Sequence, residues 1–162
     1  MRKHPLWHNL FRREDWIREG TELCRNNPMF ANLPASAIRW MVARMHPRSY
    51  QSGEAIFKAG NPGAGAVLLI SGEVTIRANK VELARLERGD IFGEVALVTD
   101  QPRTADAICL SDCEVLFLLR SDLQEWLENR PRQGAKLLQN LAGMVARRLL
   151  EASRQLASLE NP

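Results

Sequence analysis

Cysteine and long apolar runs are both scarce in this sequence. Its 162 residues include three cysteines, Cys24, Cys109 and Cys113, and this odd, sparse set excludes a disulfide framework. We interpret Cys109 and Cys113 as reduced, half-buried strand residues, although an oxidising compartment would allow them to pair. No apolar run approaches the roughly 20 residues of a membrane helix, and the N-terminus lacks the pattern of a signal peptide. We therefore expect a cytoplasmic protein without a membrane span.

Motifs of the common enzyme classes are also missing. The sequence contains no Walker loop, no G-x-G-x-x-G, no H-E-x-x-H and no G-x-S-x-G. No nucleophile–base pair can be assembled from neighbouring positions. His4 and His8 lack convergent ligands, so we expect no metal, and His46 is interpreted as structural or exposed. The sequence therefore predicts a protein that is not an enzyme.

The composition is that of an ordinary globular domain. Apolar residues make up 45% and charged residues 25% of the chain, as in typical soluble proteins. A chain of this length can bury a core without disulfides or metals. The net charge of +3 is too small to require nucleic acid as a partner. One domain with helical extensions is expected.

Two helices are predicted before the first strands. Apolar spacing predicts a helix over residues 6–26, and the following NPMFANLP is interpreted as turn material. Pro34 then opens a second predicted helix, and Pro47 ends it.

The middle of the chain predicts β-structure. From Tyr50 onward, short apolar runs alternate with glycine-containing turns, at the spacing of a small barrel or jelly roll. VTIRANKVEL predicts a hairpin, whereas TADAICL and EVLFLLR predict strands joined by SDC. Within this region EVALV predicts a short helical turn. The sequence thus favours a mixed α+β fold built on an antiparallel, jelly-roll-like β-roll.

Two helices are predicted after the strands. Ser121 and Gln124 suggest a capping box for the first, which should end before Pro131. The second covers about residues 133–159 and carries a heptad pattern. The heptad positions are Ala135, Leu138, Ala142, Val145, Leu149, Ala152, Leu156 and Leu159. This pattern predicts a weak parallel homodimer; the alternative is that the same stripe packs only on its own barrel.

The segment FGEVALVTDQPRTADA, residues 92–107, combines features of an anion-binding site. A helical turn starting near Glu94 presents unpaired amides, and Gly93 lets a ligand approach the backbone. Arg103 can hold an anionic oxygen with its planar fork. Glu94 would repel a bare phosphate but can accept a hydrogen bond from a hydroxyl. The pattern therefore fits a ribose phosphate, whereas a surface turn with a chance ion pair is the simpler alternative.

This segment resembles the phosphate-binding cassette of cyclic nucleotide-binding domains, the family of the catabolite activator protein, protein kinase A regulatory subunits and cyclic nucleotide-gated channels. The resemblance lies in FGEVAL followed by PRTA. It extends to PMFANLP, SGEAIFKAGNPG, LISGEVTI and LERGDIFGE and covers roughly residues 24–150. It implies a β-roll with N-terminal helices, a short cassette helix and a long C-terminal helix.

The resemblance also implies roles for individual residues. Arg103 would bind the exocyclic phosphate, and Glu94 would bind the ribose 2′-hydroxyl with help from the Gly93 backbone. Amides around Val95, Ala96 and Thr104 would complete the phosphate site. On the C-terminal helix, Leu137, Leu141 and Met144 are candidates to cover the base. The predicted site is Phe92, Gly93, Glu94, Val95, Ala96, Pro102, Arg103, Thr104, Ala105, Leu141 and Met144.

The chain departs from the family pattern in two places. After Pro62 it has GAGA, where relatives often carry an acidic residue. Asp106 stands where a small or hydroxyl residue is common, and it would weaken anion binding if it pointed into the pocket. Thr104 is compatible with both cyclic AMP (cAMP) and cyclic GMP (cGMP), so it does not decide between them.

We expect three regions: an N-terminal helical extension over residues 1–26, a cyclic nucleotide-binding domain over 27–150, and an overlapping C-terminal helix over 133–162. The expected function is a cAMP sensor, with cGMP as a weaker ligand, acting through an unidentified effector protein and without an output domain. The alternatives are a ligand-binding fragment of a transcription regulator or channel, and a degenerate interaction domain without a ligand.

Overall fold

The fold is a β-roll enclosed by helices at both ends of the chain, as predicted. The computed structural model describes the backbone of residues 6–160 and the side chains of residues 12–160, which hold four α-helices and eight strands. The helices are α1 (Leu6–Arg25), α2 (Ala35–Val42), α3 (Arg120–Asn129) and α4 (Pro131–Glu160). The strands are β1 (His46–Tyr50), β2 (Ala55–Phe57), β3 (Gly65–Ser71), β4 (Val74–Ala78), β5 (Val81–Leu86), β6 (Ile91–Phe92), β7 (Asp106–Cys109) and β8 (Cys113–Leu119). None of the described helices is long and apolar enough to cross a membrane.

The strands form two antiparallel sheets. The first has the order β1-β8-β3-β6 and the second the order β2-β7-β4-β5. The predicted hairpin is confirmed as β4 and β5, and its turn residues Asn79 and Lys80 have φ values of 50° and 66°. Positive φ at both central residues is the geometry of a tight two-residue hairpin turn. The predicted strands β7 and β8 do not pair; they belong to different sheets and carry the chain from one to the other.

Strand β3 is buried on both faces, which explains its continuous apolar sequence. Val67 and Leu69 contribute to the core between the two sheets. Ala66, Leu68 and Ile70 contribute to a second core that the helices form against the first sheet. The helices therefore pack on the sheet whose edge strand β6 leads directly into the predicted binding segment.

The prediction for the end of α2 was wrong. The helix ends at Val42, and Pro47 lies in strand β1 rather than at a helix end. Proline is tolerated there because β1 is an edge strand of its sheet. His46 opens this strand, and its Nε2 lies 3.0 Å from the Asp122 carboxylate. The segment NPMFANLP before α2, which was interpreted as turn material, includes a short 3₁₀ helix, Pro28–Phe30.

The predicted capping box of α3 was also wrong. Asp122, not Ser121 or Gln124, caps the helix: its carboxylate accepts a hydrogen bond from the Leu119 amide at 3.1 Å. The helix does end before Pro131, as predicted. His4 lies outside the described residues, and so does the side chain of His8. No cluster of three or more metal-ligating side chains occurs in the part of the chain that the structure describes.

The two apolar stripes of α4 have different environments. Leu137 and Leu141 are buried in the helical core, and Met144 packs at its edge. The heptad stripe instead faces away from the fold over its C-terminal half, where Leu149 is 67% and Leu156 is 64% exposed. The fold alone therefore leaves a row of leucines uncovered.

Candidate ligand-binding site

The predicted short helix of the cassette is a single 3₁₀ turn, Glu94–Leu97, which we call the cassette turn. Gly93 precedes it with a φ of 68°, in the left-handed region that favours glycine. A Cβ atom at Gly93 would lie 2.5 Å from Nη1 of Arg103. The backbone conformation therefore favours glycine here, and any larger residue would have to displace the guanidinium of Arg103.

Arg103 returns beside the cassette turn, as the sequence predicted. Its Nη1 donates to the Gly93 carbonyl at 3.0 Å, and its Nη2 donates to the Gly65 carbonyl at 2.6 Å. The guanidinium carbon stacks 4.1 Å from the centre of the Phe57 ring. Carbonyl oxygens and an aromatic face thus fix the direction of the guanidinium plane.

Among the described side chains, the positive charge of Arg103 has no acidic partner. None of the ion pairs formed by the described side chains of residues 12–160 includes it. Its Nε is buried without a hydrogen-bond partner. Burial and, next, the positive charge of Arg120 lower the pKa of Arg103. Both effects penalise the cation, so an anion placed against it would be stabilising.

Glu94 places a negative charge a short distance along the same turn. The residue is 2% exposed, although isolated carboxylates are rarely buried. Its Oε1 accepts no hydrogen bond of good geometry but contacts the guanidinium of Arg148 from α4. The site therefore combines a half-buried cation from Arg103 with a buried carboxylate that α4 neutralises.

The backbone amides of the cassette turn are only partly available. The Ala96 amide donates to the Gly93 carbonyl at 3.2 Å, and the Arg103 amide donates to the Asn61 carbonyl at 2.9 Å. A phosphate contact from Ala96 would require this hydrogen bond to be exchanged. Val95 is half exposed, which leaves its side of the turn open to a ligand.

The remaining cassette residues take different positions. Phe92 is buried between the sheets, with its ring centre 6.0 Å from that of Phe57. Pro102 and Thr104 are exposed, and Ala105 is half-buried. The carboxylate of Asp106 accepts a hydrogen bond from the Ala59 amide at 2.7 Å and forms no ion pair with Arg103. It is therefore engaged with the β2–β3 loop.

The residues predicted to cover the base lie mostly in the core. Leu137 and Leu141 are 0% and 2% exposed and share a core with Phe30 and Trp126. Met144 is only partly buried. Of the predicted base contacts, Met144 therefore still has exposed surface that a ligand could cover, whereas Leu141 is buried in the core.

Four residues of the site were not predicted: Phe57, Gly65, Arg120 and Arg148. Each contacts Arg103, Glu94 or the cassette turn from a segment distant in sequence. Only the family resemblance could have suggested that α4 crosses the cassette, and nothing in the local pattern distinguishes Arg148 from its basic neighbours.

Two open cavities lie elsewhere on the molecule. One of about 680 Å³ separates α1 from β1 and β8, and its lining includes Trp16 and Arg48. The other, of about 700 Å³, is lined by residues such as Tyr50 and Cys113. Neither lining includes Glu94 or Arg103, so the candidate site is assigned on its charged groups rather than on cavity size.

Comparisons with known proteins find similar sequences and a similar fold. A family model described as "Cyclic nucleotide-binding domain" matches residues 47–130. The cyclic AMP receptor protein of Thermus thermophilus is 31% identical over 137 residues, which cover 82% of this chain and 62% of the receptor. Glutaminase 1 of Bradyrhizobium diazoefficiens is 32% identical over 141 residues, 86% of this chain but 23% of the glutaminase. The crystal structure of Thermus thermophilus catabolite activator protein matches with a TM-score of 0.75 at 32% identity, over 83% of this chain and 63% of that one. The chain thus spans less than two thirds of the length of these relatives.

Proposed function

The chain belongs to the cyclic nucleotide-binding domain family, and we propose that it binds cAMP, with cGMP as a weaker ligand, and acts through a partner protein. One observation carries the proposal. A half-buried arginine, Arg103, has no acidic partner among residues 12–160, and the buried carboxylate of Glu94 lies on the adjacent cassette turn. This pair of groups suits a ligand with both an anion and a hydroxyl.

A cyclic nucleotide meets both requirements. Its cyclic phosphate carries one negative charge, which the guanidinium of Arg103 would neutralise through charged hydrogen bonds. Its ribose 2′-hydroxyl can donate to the carboxylate of Glu94, which only accepts. Inorganic phosphate would meet repulsion from Glu94 without supplying a hydroxyl at the right place. The proposal therefore distinguishes the nucleotide from a simple anion.

The preference for cAMP rests on the relatives rather than on a contact to the base. The Thermus relative is by its name a receptor for cyclic AMP. Thr104 is exposed and compatible with either nucleotide. A cytoplasmic location is part of the proposal, supported by three free cysteines, Cys24, Cys109 and Cys113, which suit a reducing compartment.

Helix α4 is the proposed route to a partner. Its C-terminal half exposes leucines at heptad spacing, including Leu149 and Leu156. The first partner we propose is a second copy of the chain, in a weak homodimer. The same helix contacts the proposed ribose site through Arg148, so nucleotide binding and association share one element.

Titration calorimetry with cAMP, cGMP and 5′-AMP tests the proposal. We expect cAMP to bind most tightly, cGMP more weakly and 5′-AMP most weakly, because the linear dianion does not present the cyclic phosphate beside the 2′-hydroxyl. A ligand at about 100 times its Kd should raise the free energy of unfolding by about 2.7 kcal/mol and increase the Tm. If neither cyclic nucleotide changes the Tm at millimolar concentration, the chain is a family member that has lost its ligand.

A further inference from the structure

Arg120, the first residue of α3, joins three segments of the chain. Its Nε donates to the Ala96 carbonyl at 2.9 Å, and its Nη2 donates to the carbonyls of Gly63 at 2.6 Å and Thr99 at 2.7 Å. Its own amide donates to the Ala64 carbonyl at 2.8 Å. The cassette turn, the β2–β3 loop and the start of α3 therefore meet at one half-buried side chain.

These contacts are unusual for an arginine. Guanidinium groups commonly pair with carboxylates, yet no ion pair of the described side chains includes Arg120. Two of its three acceptors, the carbonyls of Ala96 and Thr99, lie in or directly after the cassette turn. The guanidinium group of Arg120 is planar and rigid. A displacement of these carbonyls therefore changes the preferred position of Arg120 and of the first turn of α3.

Arg120 also lies close to the proposed anion site. Its charge is one cause of the lowered pKa of Arg103, after burial. The two arginines are separated by Gly63, where a Cβ atom would lie 2.9 Å from the Ala96 Cβ and 3.7 Å from Nε of Arg103. An anion at Arg103 would reduce the repulsion between the two cations and thereby favour a closer arrangement of these segments.

Helix α3 can pass such a change to α4 by direct packing. Leu123 and Trp126 of α3 are buried in the same core as Leu137 and Leu141 of α4. Close-packed interiors of this kind have low compressibility and transmit strain. A contiguous path therefore runs from the cassette turn through Arg120 and α3 to α4.

We propose that Arg120 is a positioning residue that couples the cassette turn to α3 and α4. The inference rests on the proposed function, because it requires a cyclic nucleotide at Arg103. Arg120 does not touch the nucleotide; it holds the carbonyl side of the cassette turn and transfers its displacement to the first turn of α3. Replacing the guanidinium of Arg120 should leave binding largely in place and abolish the response of residues 133–141 of α4, which pack against α3. Residues 142–150 include Met144 and Arg148 and respond to the ligand directly, so they do not report on Arg120.

Hydrogen exchange and calorimetry on the full chain test this separation. In the unchanged protein, cAMP should slow exchange both in the cassette, residues 92–105, and at the start of α4, residues 133–141. In Arg120→Gln, cAMP affinity should fall by no more than about tenfold and exchange in the cassette should still slow. Exchange in residues 133–141 of α4 should no longer respond. Arg120→Lys retains the positive charge but not the planar guanidinium group, and should give a partial response of residues 133–141 of α4. It also provides a folded variant if Arg120→Gln is too unstable.

Arg132→Gln is the matched control, because it removes an exposed arginine from the first turn of α4. It should behave as the unchanged protein. A full response of residues 133–141 in both Arg120 variants would overturn the inference and leave Arg120 a structural residue. Complete loss of cAMP binding in folded Arg120→Lys would also overturn it, since Arg120 would then belong to the binding site itself. Failure of the unchanged protein to bind cAMP would instead reject the proposed function, and this inference with it.

Discussion

The guanidinium of Arg148 in α4 contacts the buried carboxylate of Glu94 in the cassette turn. The arginine side chain is 59% exposed, whereas that of the glutamate is 3% exposed. A solvated cation therefore neutralises a desolvated anion across two elements. Because Glu94 is also the proposed acceptor for the ribose hydroxyl, the ligand and α4 meet at one carboxylate.

Arg148→Ala should destabilise the fold. The substitution leaves Glu94 buried without its cation, which costs about 3–5 kcal/mol where both partners are buried. Since Arg148 is more than half exposed, we expect a smaller loss of about 1 kcal/mol in the free energy of unfolding. Urea denaturation of Arg148→Ala and of its exposed neighbour Arg147→Ala measures the difference. Equal stability of the two variants would show that the contact with Glu94 contributes nothing.

Arg103→Ala should weaken cAMP binding by one to two powers of ten, or roughly 1.5–3 kcal/mol, the worth of a charged hydrogen bond. It should also lower the Tm, because the carbonyls of Gly93 and Gly65 lose their donor. Titration calorimetry gives the affinity. Arg13→Ala, which removes an exposed arginine of α1, is the control and should bind normally. An unchanged affinity in Arg103→Ala would show that Arg103 does not bind the phosphate.

The local parts of the fold and site could be predicted because their signals lie within short segments. The VTIRANKVEL hairpin and the position of Arg103 beside the turn that begins at Glu94 are both of this kind. The roles of Arg120 and Arg148 could not be predicted, since they depend on contacts between distant segments; Arg120 and Ala96 are 24 residues apart. Their side chains do not differ in type from the other arginines of the helices.

The end of α2 was missed for a different reason. Met45 continues the apolar spacing of α2 and is buried, but it lies after the last helical residue, Val42. A buried residue outside the helix therefore had the same spacing as a helical one. In α4, both stripes are apolar, and the sequence alone does not say which one meets the core. The stripe of Leu137 and Leu141 does so because it packs against large side chains of α3 and the 3₁₀ helix before α2.

Leu141→Ala and Met144→Ala should separate packing from ligand contact. Leu141 is 2% exposed, so its truncation should lower the free energy of unfolding by about 2–5 kcal/mol. Met144 is only partly buried, and its truncation should cost less stability but more cAMP affinity. Urea denaturation and calorimetry on both variants give the two quantities. If Met144→Ala binds cAMP as tightly as the unchanged protein, Met144 does not cover the base.

The stability of the fold should decrease at alkaline pH, partly through Cys109. Burial, followed by the neighbouring Cys113, raises the pKa of the Cys109 thiol to about 12. The unfolded thiol ionises near its ordinary value of about 8.5, so the unfolded state releases its proton first. The free energy of unfolding therefore falls as the pH rises above about 8.5. Urea denaturation at pH 7, 9 and 10 (a range set by that ordinary pKa) should show a shallower fall in Cys109→Ala. An equal fall of the free energy of unfolding with pH in both proteins would show that Cys109 does not cause it.

We expect association through α4 because of the length of its uncovered stripe. Leu149, Leu156 and Leu159 are 67%, 64% and 77% exposed, and a helix of 30 residues extends for about 45 Å, further than the β-roll can cover. Such a row is unusual for a monomer, although small alanines at other heptad positions should keep the dimer weak.

Equilibrium sedimentation at about 100 micromolar, the scale of a weak interface, should give a dimer that Leu149→Asp with Leu156→Asp converts to a monomer. Ala157→Asp with Ser158→Asp adds the same charge at exposed positions away from the stripe and should remain dimeric. A monomer in the unchanged protein, with and without cAMP, would reject association, because the leucine stripe would then be tolerated in water. A dimer that survives the leucine substitutions would place the interface on another surface.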